Sequence, residues 1–203
     1  MCLTPVLIQR PNNLLTTPTA YFPPTSWFLA ALRAGMWQWE AHENYQKGGW
    51  RNRCRIAGAN GPLLLSVPLE GGKHRQMPIR EVRVSHHSDW QRQHAQAIRS
   101  AYGRAPYFEH YGDPILESLL QPATLLYEFN YRLTGRILEL LGGPVELVDT
   151  TAFRGADAGA VPGPEAVPAY RQVFEERYGF QPDLSVLDAL FCLGPELLLL
   201  PND

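Results

Sequence analysis

Asn13-Leu14-Leu15-Thr16-Thr17-Pro18-Thr19-Ala20-Tyr21-Phe22-Pro23-Pro24 is the stretch whose reading decides the fold. Asn13 to Phe22 reads as a short apolar strand running into a turn, and Pro23-Pro24 forbids its continuation as a central strand, because proline lacks the N–H that a ladder needs. Thr25 or Ser26 then serves as N-cap for a helix from Trp27 to about Arg33, ended by Gly35. Met36 to Glu40, rich in aromatic residues, suits a second strand. Strand, helix, strand in this order is the opening of an α/β layered fold with a Rossmann-like N-terminal sheet.

Further along, Leu63–Leu69, Ile79–Val84 and Val145–Val148 read as strands, with Ala59-Asn60-Gly61-Pro62 and Gly71-Gly72-Lys73 as turns. Trp90, His94, Ile98 and Tyr102 recur at four-residue spacing and so share one face of a helix, started by Ser88 or Asp89 and closed by Gly103. Further helices are expected from Pro114 to Leu120, Leu125 to Leu141, Tyr170 to Tyr178 and Leu184 to Phe191. The C-terminal half is therefore mainly helical. Residues 1–150 read as one α/β domain, 151–168 as a Gly/Pro/Ala-rich loop, and 169–203 as a helical extension packed on the same domain.

With 203 residues, 45% of them hydrophobic, the chain is too apolar for disorder and long enough to bury a core without disulfides. No apolar run approaches the roughly 18 residues of a membrane span, and Met1–Pro11 lacks the pattern of a signal peptide, so no membrane insertion is expected. Cys2, Cys54 and Cys192 are widely separated thiols, which fits a cytoplasmic protein. No phosphate loop, dinucleotide fingerprint, nucleophile elbow or H-E-x-x-H motif is present. His86, His87 and His94 lack a carboxylate or thiolate at a spacing that completes a metal site, so no metal is expected, and the sequence leaves the cofactor unknown.

Charge is segregated. Between Lys47 and Arg104 eleven Lys and Arg stand against Glu70, Glu81 and Asp89, a net of +8, so the remainder of the chain carries −10. A basic middle between acidic flanks is a footprint for an anionic ligand, or a charge set that pairs with the flanks in the fold. Sixteen of the eighteen cations are Arg, whose planar fork grips phosphate or carboxylate at two points. In Arg51-Asn52-Arg53-Cys54-Arg55, read as extended, the three arginines project to one face and repel one another unless an anion or an acidic side chain intervenes. The same neighbours would lower the pKa of Cys54, although a semi-buried thiol is the preferred reading. Asn52 is equally a hydrogen-bonder for a sugar phosphate or a knot that ties loop carbonyls together.

His42-Glu43-Asn44-Tyr45-Gln46-Lys47, Arg51-Asn52-Arg53, Trp90-Gln91-Arg92-Gln93-His94 with Ile98 and Ser100-Ala101-Tyr102, and Ala105-Pro106-Tyr107-Phe108 follow one another in an order that resembles the WbqC-like family, over roughly Tyr21 to Leu141. The likeness is strongest to the subgroup common in Bacteroidetes, through Tyr21-Phe22-Pro23-Pro24 and the tail Tyr170-Arg171-Gln172-Val173-Phe174. The resemblance implies a transferase that acts on an anionic activated sugar, an amino sugar among them, in surface-polysaccharide (O-antigen) biosynthesis. The donor would be a sugar nucleotide or an acyl or aminoacyl compound. Many members open with His-Gln-Pro-Asn; here Thr17-Pro18-Thr19-Ala20 stands in that place and the His has no counterpart.

Under this resemblance His94 becomes the leading general acid/base, since imidazole titrates near neutral pH, although a histidine on an apolar helix face is more often a packed core residue. Glu43 is its carboxylate partner, or else a salt-bridge partner of a nearby arginine. Arg51, Asn52, Arg53 and Arg92 would hold the anion. Tyr45 and Tyr102 would stack on sugar or base, where packing is the default role of an aromatic. The competing reading is a non-catalytic protein that binds nucleic acid or an acidic partner through the basic middle. Its affinity would fall steeply with salt and would not depend on His94.

Overall fold

The computed structural model describes residues 13–71, 77–155 and 161–200. Cys2, Gly72 and Lys73 of the expected loop, and residues 156–160 of the Gly/Pro/Ala-rich stretch, lie outside these. The fold is α/β. A three-stranded parallel sheet is built from β1 (Asn13–Thr17), β2 (Gly35–Trp39) and β5 (Glu146–Asp149), with β2 in the centre. Helix α1 (Thr25–Ala34) connects β1 to β2 as the crossover that parallel neighbours require. Gly35 ends α1 in the left-handed region (φ 81°), and its N–H bonds the carbonyl of Ala31, as a C-terminal glycine does.

A two-stranded antiparallel ribbon follows, β3 (Arg53–Ile56) with β4 (Leu63–Ser66). Next come α2 (Trp90–Tyr102), α3 (Phe108–Leu120) and α4 (Leu126–Leu140). The tail holds α5 (Glu175–Tyr178) and α6 (Val186–Leu193). Trp37 and Trp39, two residues apart on β2, lie on one face of the sheet and are fully buried. Trp37 meets Phe28 of α1 edge to face; Trp39 meets Tyr127 and Tyr131 of α4 in the same way. No helix of the described residues is long and apolar enough to cross a membrane.

Three expectations change. Ile79–Val84 is not a strand: residues 79–81 form a 3-10 turn, and Val82, Arg83 and Val84 make single backbone bonds to the first residue of α4, Leu126, and to the loop positions Glu70 and Thr124. Helix α3 begins at Phe108, six residues before Pro114. The proline removes one backbone bond, while the turn ahead of it is held by burial of Phe108 and Tyr111. Gly112 makes this packing possible, because a Cβ there would fall 2.8 Å from the Phe108 ring. Of the expected helix 170–178 only Glu175–Tyr178 forms. Side chains satisfy the preceding segment instead: Gln172 bonds both the N–H and the carbonyl of Gln181, and with Tyr170 it donates to the carboxylate of Asp188.

The tail closes over the β1–α1 turn. Asp183 Oδ1 accepts the N–H of Ser26 at 2.9 Å, Leu184 O accepts both the N–H and the hydroxyl of Thr25, and Val186 N–H donates to Pro23 O. A carboxylate from 157 residues away thus caps the N-terminus of α1, the position where a nucleotide-binding turn would place a phosphate. Asp183 (φ 58°) and Phe22 (φ 43°) are the non-glycine residues with positive φ among those described, and both belong to this clasp. Replacing Asp183 by Ala is expected to cost about 1–2 kcal/mol of stability through the lost cap, with Asp183→Asn costing less because it keeps an acceptor and tolerates the left-handed backbone. Urea denaturation of the two variants checks the order.

Candidate functional site

Arg51 does not extend the arginine row. Trp50–Asn52 forms a 3-10 turn ahead of β3, which swings Arg51 inward while Arg53 and Arg55 alternate outward along the strand. Arg51 is 7% exposed and Glu43 6%, and they form a two-point ion pair: Nε to Oε1 at 2.7 Å, with Nη2 to Oε2 as the second arm. Burial raises the Glu43 carboxyl above its ordinary value against the pull of the Arg51 bonds and charge. The sequence left open whether Glu43 serves chemistry or pairs with an arginine; its carboxylate is taken up by Arg51.

Asn52 is likewise engaged. Its Nδ2 donates to the carbonyl of Val67 at 2.9 Å, and its Oδ1 accepts the Tyr45 hydroxyl at 3.0 Å. Asn130, a polar residue on the buried face of α4, donates to the carbonyl of Arg51 at 2.7 Å and to the Thr19 hydroxyl at 3.2 Å. Tyr21 N–H donates to Trp50 O, and the Tyr21 hydroxyl meets His94 Nδ1 at 2.8 Å. His94 is thereby tied through Tyr21 to the Trp50–Asn52 turn. Neither Tyr21 nor Asn130 stood among the residues singled out as a site. The signal for Asn130 was a lone amide within the apolar face of its helix.

His94 packs against the rings of Trp90 and Tyr21, and burial pushes its pKa down to about 4. The Tyr21 hydroxyl is held well above its ordinary value by burial, with a smaller push from nearby Cys54. At neutral pH the pair is an uncharged imidazole on an uncharged phenol. Cys54 itself faces the core, opposite the arginines. Burial raises its thiol rather than the arginines lowering it, so the sequence-based expectation of a lowered pKa is corrected.

Arg53 and Arg55 share the outer face of the ribbon, across from Ser66 and Leu64. The Nε of each is buried without a hydrogen-bond partner, and neither forms an ion pair among the described residues. The Arg55 guanidinium lies 4.9 Å over the Trp50 ring. Arg53 is close enough to Tyr45 for its charge to favour ionisation of that phenol, which burial otherwise resists. A flat, two-guanidinium surface beside an aromatic ring is chemically suited to a phosphate or carboxylate.

Two predicted residues are not brought to this cluster. Arg92 projects into solvent from the first turn of α2 and faces Asp89 at 3.5 Å, because its helical position lies off the buried stripe. Tyr102 is fully buried, where its hydroxyl accepts the N–H of Ala57 at 2.9 Å, so its ring has no free face. Among the described residues no group of three or more His, Cys, Asp or Glu is gathered as a metal site would need.

Two measurements follow from the buried groups. Removing one partner of the Glu43–Arg51 pair strands a buried charge, so Glu43→Leu or Arg51→Met alone is expected to cost about 3–5 kcal/mol, and the double replacement less than either; a double-mutant cycle in urea measures this. The unfolded chain binds a proton at His94 near pH 6.5, whereas the folded chain does so only near pH 4. Stability from this group is therefore complete above about pH 6.5 and is lost as pH falls toward 4. His94→Gln should shrink the difference in urea midpoint between pH 7.5 and pH 4.5.

Comparison with known proteins adds to this geometry. The chain is 27% identical over 188 aligned residues to the uncharacterized protein Rv1507c of Mycobacterium tuberculosis (strain ATCC 25618 / H37Rv), an alignment that covers 75% of this chain and 81% of that protein. No solved structure matches the chain. The profile of one family matches residues 19–163, which hold the β1–α1 turn, the ion pair, both outward arginines and His94. The chain belongs to the WbqC-like protein family.

Proposed function

We propose that this protein is a transferase that takes an anionic activated sugar, an amino sugar or a related compound, in the assembly of a surface polysaccharide. The observation that carries this reading is the pair Arg53 and Arg55: two same-face guanidiniums whose Nε atoms are withdrawn from water and have no partner among the described residues. Neither guanidinium is answered by an acid among the described residues, and a phosphate or carboxylate bound across the two would pair with both cations together. Trp50, half-buried beneath Arg55, borders them as an aromatic neighbour for a base or a sugar, whereas Tyr45, expected to stack on the substrate, is buried in the core with its hydroxyl on Asn52.

Glu43, Arg51 and Asn52 then act as positioning residues that hold the turn from which Arg53 departs. His94 is the candidate proton carrier. With its proton on Nδ1 and donated to the Tyr21 oxygen, Nε2 keeps a lone pair for the proton of an acceptor hydroxyl or amine. In the empty protein burial makes this imidazole a weak base. A substrate anion nearby would raise its proton affinity and couple base strength to occupancy.

Isothermal calorimetry with UDP-N-acetylglucosamine and with inorganic pyrophosphate as probes tests the reading. Saturable binding of at least one of them is expected, weakened roughly 10- to 100-fold in the Arg53→Ala/Arg55→Ala double variant and little changed in Arg92→Ala. The absence of saturable binding by either probe would overturn it. So would a preference for polynucleotides with the steep salt dependence of phosphate-backbone binding, which would favour the non-catalytic nucleic-acid reading instead.

A further inference from the structure

A cleft of about 1000 Å³ opens where the C-terminal end of α2 meets the tail, well apart from the Arg53–Arg55 ribbon in its lining. One wall is α2 and the turn after it, with Arg99 and Arg104; the other is the tail, with Arg171, Phe174, Cys192 and Leu193. Its tail wall lies beyond residue 163, where the segment matched by the family's profile ends.

The lining divides by chemistry. Phe174, Cys192 and Leu193 are half-buried and form an apolar floor. Arg99, Arg104 and Arg171 stand at the border, with the carboxylates of Glu176 and Glu196 among them. Arg99 is paired with Asp113 and Arg171 with Glu176, each at about 3 Å and with most of its side chain in solvent. Exposed pairs of this kind are weak and exchange readily for a better anion. Arg104 has no ion pair among the described residues. The floor is fixed in advance: Gln172, next to Val173, is locked by Gln181 and by the buried carboxylate of Asp188, which also accepts the Tyr170 hydroxyl. Cys192 is no nucleophile here, since burial, with the charge of Asp188, pushes its thiol up to about 12. The site is built for binding.

We infer that this cleft is a second ligand site, which takes a dissolved small organic anion with an apolar or aromatic body, the body on Phe174 and Leu193 and the anionic group between Arg104 and Arg171. The volume is at the upper end of what small-molecule sites enclose, enough for a ligand of nucleotide or aryl-acyl size.

Titration of the full chain with 1-anilinonaphthalene-8-sulfonate, an aromatic body carrying one anionic group, tests this. One saturable site is expected, with affinity reduced roughly tenfold in Arg104→Ala and in Arg171→Ala. Ser100→Trp, which fills the α2 wall, should abolish binding. The Arg53→Ala/Arg55→Ala variant should bind as the wild type does, which separates this site from the proposed transferase site. Non-saturable fluorescence, wild-type affinity in the two single arginine variants, or loss in the ribbon variant would overturn the inference. Co-sedimentation with phosphatidylglycerol vesicles without saturable binding of the dissolved probe would overturn it too. Should Ser100→Trp fail to fold, the arginine variants still decide.

Discussion

The buried ion pair of Glu43 and Arg51 is the constraint on which the candidate site depends. Two opposite charges taken out of water are tolerable only when they face each other in good geometry, and the two-point contact of guanidinium on carboxylate supplies it. That requirement fixes the 3-10 turn at Trp50–Asn52, because only a turn there carries Arg51 inward while Arg53 starts a strand. Once the turn is set, its carbonyls at Trp50 and Arg51 receive Tyr21 and Asn130, and Tyr21 in turn receives His94. The imidazole, the phenol and the outward arginines are positioned by one desolvated contact.

The sheet and α2 were legible in the sequence because each rests on local regularity. Trp90, His94, Ile98 and Tyr102 are all buried, as four-residue spacing requires, and the strand–helix–strand opening forms with Gly35 at the joint. What the sequence hid rests on distant partners. Val82 and Val84 have strand-like alternation, yet the groups they bond to, Leu126 and Thr124, belong to the start of α4 and the loop before it rather than to a neighbouring strand. The segment before α5 has helical composition, yet Gln172 and Asp188 satisfy its polar groups from outside. In the site, the spacing of Arg51, Arg53 and Arg55 correctly pointed to a shared face for the last two. It failed for Arg51 because periodicity cannot register a carboxylate eight residues upstream that draws the backbone into a turn.

The fate of the basic middle sharpens the functional argument. Most of its arginines are answered by the chain itself: Arg51 by Glu43, Arg80 by Asp149, Arg83 by Glu70, Arg92 by Asp89 and Arg99 by Asp113. Three of those acids, Glu43, Asp149 and Asp113, come from the flanks, so folding brings part of the flanking acid onto the basic middle and lowers its net charge from +8 to +5. Among the arginines that no acid answers, two are neighbours on one strand. Arg53 and Arg55 stand side by side with buried, unpartnered Nε atoms, next to Trp50 and Tyr45. Two fixed cations on a strand, supported from behind by a buried hydrogen-bonded network, suit a compact anion of definite shape better than an extended polyanion. Rigid strand positions hold that geometry with little entropy left to lose on binding.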